Sequence, residues 1–368
     1  MLYHLLPQFA DVHIVFNLFN YLTFRSAGAV ITALLIALVA GPATIRWLRH
    51  LRVGQVIRTE GPQSHLKKAG TPTMGGTLIL LAATISTLLW AEITNWYVML
   101  SLLALLWMGA IGFMDDYLKV VQGRPRGLVA RYKMVGQLSF GLLLGIFLVL
   151  QPIHPVPPTW TMVPFFDQWV AVFWVPAYVV FVSLVVSGSS NAVNLTDGLD
   201  GLAAGLGAIA LVTFGVFAYL IGRVDTSAYL GLFYLPGAGE LAVFAAALAG
   251  GAVGFLWYNA PPAEVFMGDT GSLALGGALA VMAILLKAEF LLLIVGGVFV
   301  LEALSVMLQV GWFKYTSRRF GAGRRIFLMA PIHHHFEKLG WAETKVVVRF
   351  WILGILFAML AFSTLKIR

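Results

Sequence analysis

The stretch "WYVMLSLLALLWMGAIGFMDDYLK", Trp96–Lys119, decides the fold. Residues 96–114 hold no charged side chain. A helix of about 20 such residues reaches across the hydrocarbon of a bilayer. The run then stops abruptly at Asp115 and Asp116. Comparable apolar runs recur along the whole chain, and we place ten of them: 24–46, 73–91, 96–114, 134–151, 170–188, 199–221, 241–258, 272–287, 289–312 and 346–365. Backbone polar groups in lipid must be satisfied within their own segment, so these runs are expected to be helices. The expected fold is an all-α polytopic membrane protein with ten transmembrane helices, one domain over 1–368. The run 289–312 contains Gly296, Gly297 and Glu302 and predicts a broken or bent helix. The turn before 289 must be tight. The first residues lack a basic start and carry Asp11 and His13, which reads as an interfacial amphipathic segment.

Composition agrees. Sixty per cent of the 368 residues are hydrophobic and 11% are charged, against about 25% charged in a soluble domain. The absence of cysteine excludes disulfides and thiolate metal sites. The net charge of +8 is read as attraction to membrane lipids, not nucleic acid. Arginine and lysine gather in three loops, near 46–72, 115–133 and 313–345. The positive-inside rule puts these loops in the cytoplasm and both termini in the periplasm, although the tail "LKIR" runs mildly against it. By alternation, loops 188–198 and 259–271 face the cytoplasm too.

Of eight aspartates, five (Asp115, Asp116, Asp197, Asp200 and Asp269) fall on that same face. A carboxylate at the edge of hydrocarbon is costly unless it is paired or metal-bound. One such residue is an ordinary interfacial charge; five beside glycine-rich turns suggest a site. In "MDDYLK", Asp115 and Lys119 are i, i+4 on one helical face, with Asp116 about 100° round. They form either a salt bridge at a helix end, or a base beside a metal ligand. In "NLTDGLDGLAAG", Thr196 or Asp197 can cap the following helix, while the glycines allow close approach of a phosphate to its N-terminus. The further presence of Asn191, Asn194 and Asp200 is more than a cap needs. In "FMGDTGSLALGG", Asp269 can cap a helix or offer oxygen to magnesium, a hard cation that accompanies phosphates. Asn259 and Phe266 can hydrogen-bond and stack a base. Lys67, Lys68, Lys119, Arg131 and Lys133 can hold a diphosphate. The role of Glu302 stays open between a lipid-tail groove, backbone exposed at the helix break and a dimer contact.

Three consecutive histidines, His333, His334 and His335, suggest a metal site, but adjacent residues diverge by about 100° on a helix and alternate faces on a strand. They do not readily converge on one ion. A polar loop is an equal reading from the residues alone.

Together, "LKKAGTPTMGG", "DDYLK", "NLTDGLDGLA", "FMGDTGSLALGG" and "PIHHHFEKLGW", in that order over 66–341, resemble the phospho-N-acetylmuramoyl-pentapeptide-transferase family. The aspartate pair and "NLTDGLDGLA" also resemble the wider polyprenyl-phosphate N-acetylhexosamine-1-phosphate transferases. The resemblance implies transfer of phospho-N-acetylmuramoyl-pentapeptide from UDP to undecaprenyl phosphate, giving lipid I and UMP. It implies Mg2+, a homodimer in the bacterial inner membrane and a cytoplasmic cleft. It assigns Asp269 to the metal and Asp115 and Asp116 to an essential pair, with Asp115 favoured as base. Lys119 and Lys133 would neutralise phosphates, and one of Lys67 and Lys68 the diphosphate or uracil region. Gly198, Leu199, Asp200, Asn259 and Phe266 would form the uridine pocket, with Asn191 and Asp197 lining the centre. The histidines become a substrate-side loop, hydrogen-bonding to phosphate or the muramoyl-peptide, with at least one locking the loop onto Glu337 or its own backbone. The rival readings are a sibling transferase using UDP-N-acetylglucosamine and a secondary transporter. Transporter sites lie near the bilayer midplane, whereas these acids gather at one face.

Overall fold

The computed structural model describes residues 1–50, 70–124, 127–166 and 170–365. The chain starts with the short helix α1 (Leu2–Leu5) and two 3₁₀ turns (Leu6–Phe9 and Ile14–Asn20). Helices α2 (Leu22–His50), α3 (Gly76–Trp90), α4 (Trp96–Val120) and α5 (Ala130–Leu150) follow. A small antiparallel hairpin, β1 (Trp160–Met162) with β2 (Val170–Val172), then leads to α6 (Val175–Thr196), α7 (Leu202–Ile221) and the short α8 (Val224–Leu230). The remainder is α9 (Glu240–Asn259), α10 (Gly268–Leu285), α11 (Glu289–Val295), α12 (Gly297–Phe320), α13 (Ile332–Lys338) and α14 (Glu343–Ser363). Among the described residues nine helices are long and apolar enough to cross a membrane, and α3 is a shorter apolar one.

The helix α10 is the axis of the bundle. Every residue from Thr270 to Leu285 is buried, as expected for a helix apolar on all sides. Packing at this density needs small residues where backbones meet. A Cβ at Gly276 would lie 2.6 Å from the Ser189 carbonyl oxygen, so α6 crosses α10 at backbone contact. At the other extreme, α12 and α14 expose Leu304, Met307, Leu308, Leu356 and Met359, an apolar surface suited to lipid.

The break expected in 289–312 is present. Helix α11 ends at Val295, and α12 begins at Gly297. The tight turn before it places Lys287 at φ 57°. The buried Lys287 ammonium donates to the Pro158 carbonyl (2.5 Å) and the Tyr178 hydroxyl (3.2 Å).

Four expected boundaries are corrected. Expected loop 313–345 loses its start to α12, which runs on from the apolar span to Phe320. The run 170–188 begins with strand β2, and the helix starts only at Val175, where Pro176 suits a first turn. Expected loop 188–198 is mostly helix, since α6 continues to Thr196. Expected loop 115–133 loses its ends to α4, which runs to Val120, and to α5, which starts at Ala130. Polar residues end the apolar pattern without ending the helix, because aspartate and asparagine are tolerated in a helix that packs on neighbours.

Candidate active site

Two helix ends from distant parts of the chain build the site. Asp115, Asp116 and Lys119 lie on the last turns of α4, and Asp269 lies at the start of α10. The helices meet through Gly112, where an added Cβ would lie 2.1 Å from the Asp269 carbonyl oxygen. Glycine is therefore required for this approach. Asp115, Asp116 and Asp269 each bring one carboxylate oxygen into a group within 4.8 Å of one another.

The three carboxylates are held differently. Asp116 faces the start of α10. Its Oδ1 accepts from the Asp269 N–H (3.2 Å), and its Oδ2 from the Thr270 N–H (2.9 Å) and hydroxyl (2.7 Å). It thus satisfies donors that a helix N-terminus leaves free. The expectation that Asp269 caps this helix gives way to a cap from 153 residues upstream. Asp269 instead projects into the site. Its Oδ2 accepts from Lys119 (3.0 Å) and Lys133 (2.7 Å), and its Oδ1 accepts from Asn194 (2.7 Å). Asp115 accepts from the Leu128 N–H at 2.7 Å and pairs with Lys119 at 2.5 Å, the i, i+4 contact expected from "MDDYLK". Two lysines thus lie among three acids, a charge pattern that can bind a diphosphate while holding a divalent cation. Three converging carboxylate oxygens are the donor set that such a hard cation takes.

The second acidic motif forms the turn between α6 and α7. Asp197 follows the last residue of α6. Burial, then the nearby Asp269 and Asp116 carboxylates, push its carboxyl up to about 8. At the start of α7 one backbone donor is already taken from within the fold. The Gly201 N–H donates to Asn259 Oδ1 at 2.9 Å, and the Asn259 amide donates to the Val265 carbonyl at 2.9 Å. Thr196 does not cap α7, since its hydroxyl donates to the Ala192 carbonyl within α6. Asp200 is buried; its N–H donates to Glu343, and it accepts from the Ala263 N–H. Gly198 is partly exposed and Leu199 is buried. Phe266 is partly exposed, its backbone tied to Pro72 and Gly75. Asn191 donates to Gln137 (2.6 Å) and to the Ser187 carbonyl (2.8 Å). Arg131 stays outside the cluster, its guanidinium over the Tyr132 ring. Lys67 and Lys68 lie outside the described residues.

The histidines form helix α13, not a loop, and point three ways. His333 is fully buried, its Nδ1 3.1 Å from Glu302 Oε1. His334 pairs with Glu337 at 2.7 Å. His335 accepts from the Leu328 N–H at 3.1 Å. Two of the three thus lock the segment onto Glu337 and onto backbone, as expected for at least one. Ser272 is the member of the site that reading by charge passes over, whereas Asn194 is among the residues that exceed what a cap needs. Asn194 sits three residues after Asn191 on α6 and reaches both Asp269 and Ser272, so Ser272, one turn into α10, joins the site through it.

The sequence pattern of glycosyl transferase family 4 matches residues 97–287, which covers α4 through α10 and all three carboxylate motifs. The phospho-N-acetylmuramoyl-pentapeptide-transferase signature 1 matches residues 68–80. A phospho-N-acetylmuramoyl-pentapeptide-transferase of Gemmatimonas aurantiaca is 56% identical over 380 residues, covering all of both chains. Proteins of the same name from Citrifermentans bemidjiense and Chloroherpeton thalassium are 54% and 50% identical, again over the whole of both chains. With the motif order, the packed carboxylates and full-length identity in agreement, the chain belongs to the phospho-N-acetylmuramoyl-pentapeptide-transferase family.

Proposed function

We propose that this chain transfers phospho-N-acetylmuramoyl-pentapeptide from its UDP carrier to undecaprenyl phosphate, releasing UMP and forming lipid I. The observation that carries the reading is the convergence of Asp115, Asp116 and Asp269 within 4.8 Å beside Lys119 and Lys133. Mg2+ on Asp269, with Asp115 or Asp116 beside it, would neutralise charge on the diphosphate. The donor chemistry of three oxygens supports magnesium over a softer metal.

The roles of the side chains follow from their partners. Asp116 has both oxygens engaged by the start of α10 and orients Asp269. Asp115 Oδ2 pairs with the two lysines, and unlike Asp116 it is not tied to the start of α10, so it is the group to take the proton of the lipid phosphate once the lysines turn to the diphosphate. The lipid phosphate oxygen then bonds to the phosphorus that carries the sugar. The bond from that phosphorus to the bridging oxygen breaks, and UMP leaves with the electron pair. Lys119 and Lys133 balance the charge on the equatorial oxygens. An apolar groove of about 410 Å³, lined by Phe181, Leu184, Ala192, Phe299 and Val300, lies along α6 and the α11–α12 break and suits the isoprenoid chain.

The basic loops support a cytoplasmic active face, periplasmic termini and ten spans with α3 as the shortest. The location is the inner membrane, and the assembly a homodimer. The test is reconstitution in detergent of UDP-N-acetylmuramoyl-pentapeptide with undecaprenyl phosphate. UMP release that stops with EDTA and returns with Mg2+ is expected. No UMP under any condition would overturn the reading, and equal release from UDP-N-acetylglucosamine would favour the sibling enzyme.

A further inference from the structure

Glu302 lies on α12, about one and a half turns beyond the break at Gly296. Its carboxyl is fully buried, as is the His333 imidazole 3.1 Å away. The contact is at ion-pair distance, though off the line of an ideal hydrogen bond. The other face of the imidazole rests on Gly198, where an added Cβ would come within 2.3 Å of Nε2. Gly198 belongs to the Asp197–Asp200 turn. The Gly201 and Asp200 N–H groups anchor that turn to Asn259 and Glu343, and the Asp200 carboxylate anchors it to the Ala263 N–H. Those anchors come from α9, α14 and the loop before α10. The imidazole, on α13, supports the turn from a fourth element, and the carboxyl of Glu302 sets its orientation.

A fully buried carboxyl and imidazole are expensive to desolvate and add little net stability. Their geometry has a use if it fixes the turn. Phe299, Val300 and Ala303 of the same helix line the apolar groove, so the helix that borders the groove also carries this strut.

We infer that Glu302 is a positioning residue. Through His333 it holds the Asp197–Asp200 turn, and with it the nucleotide end of the site, against the carboxylate cluster. The inference rests on the transferase reading above, and it gives the buried histidine a role without substrate contact.

The experiment compares full-length purified enzyme with E302Q, E302D, H333Q and the double variant E302Q/H333Q. KM is measured separately for the sugar nucleotide and for undecaprenyl phosphate. E302Q is expected to raise the nucleotide KM roughly tenfold, with the lipid KM within about twofold. E302D is expected to recover part of the loss, and the double variant to be no worse than the more impaired single one, because the two residues act as one unit. An unchanged nucleotide KM in E302Q, an equal rise in both KM values, or losses that multiply in the double variant would each overturn the inference. Should E302Q fail to accumulate in membranes, H333Q carries the same comparison: a rise confined to the nucleotide KM is expected, and an unchanged nucleotide KM or an equal rise in both would overturn the inference. UMP release by the unmodified enzyme tests the transferase reading separately.

Discussion

At the scale of single residues, the three carboxylates separate into tasks that mutation can distinguish. Asp269→Ala removes the acceptor shared by Lys119, Lys133 and Asn194, and UMP release is expected to fall about a thousandfold while gel-filtration behaviour is retained. Asp116→Ala leaves three donors of α10 without an acceptor. It is expected to cost about 1–3 kcal/mol of stability as well as activity, read as a lower thermal midpoint in detergent. Asp197 adds a pH dependence. Its carboxyl is raised from 3.8 to about 8 by burial and by Asp269 and Asp116. Protonated Asp197 therefore favours the fold fully below about pH 4, and that contribution is lost as pH rises through 8. Asp197→Asn should accordingly flatten the decline of the thermal midpoint between about pH 5 and pH 8 (from the linkage of one group), while turnover falls. A variant whose midpoint tracks the parent across that range would refute this. These acids are legible in the sequence because a carboxylate at the edge of hydrocarbon demands a reason. Their partners are not, because the cap on α10 comes from a residue 153 positions away and no local pattern encodes that pairing.

At the scale of elements, the site exists because α4 and α10 touch backbone to backbone at Gly112 and Asp269. A methyl group there must push α10 away from α4 and lengthen the Asp116 cap. Gly112→Ala is expected to cost about 1–3 kcal/mol through overpacking and to reduce turnover along with it, although no reacting group is altered. Wild-type activity and midpoint in this variant would show that the helices have slack. The apolar runs reveal nearly every membrane helix and the break at Gly296, since length and hydropathy carry that information directly. They misjudge the inner ends. Helices α4 and α6 carry Asp115, Asp116, Asn191 and Asn194 within two turns beyond the apolar runs, and those polar turns build the candidate site. The short α13 escapes a hydropathy reading because its residues are polar, and its helical form is what sends His333 inward and His334 toward Glu337.

At the scale of the whole molecule, the packing sorts polar groups to two ends. One end gathers Asp115, Asp116, Asp269 and the two lysines. The opposite end is tied by Arg25 to Glu240 through two bonds of 2.8 and 2.6 Å, with the Glu92 N–H also donating to Glu240. That arrangement follows from helix direction: α4 runs toward the acidic end and α10 runs away from it, so the two aspartate motifs can meet only if they share a membrane face. The basic residues Arg318 and Arg319 close α12 at its C-terminal end, whereas α8 joins α7 to the segment before α9, both ends of which lie toward Arg25 and Glu240. The positive-inside rule then assigns Arg319 to the cytoplasm and Val224 to the periplasm. The chain contains no cysteine, so single-cysteine variants at these exposed positions give an uncluttered test. In intact spheroplasts a membrane-impermeant maleimide is expected to label Val224→Cys at once and Arg319→Cys only after permeabilisation. The opposite pattern would turn the molecule over and place the carboxylates on the side where no cytosolic sugar nucleotide could reach them.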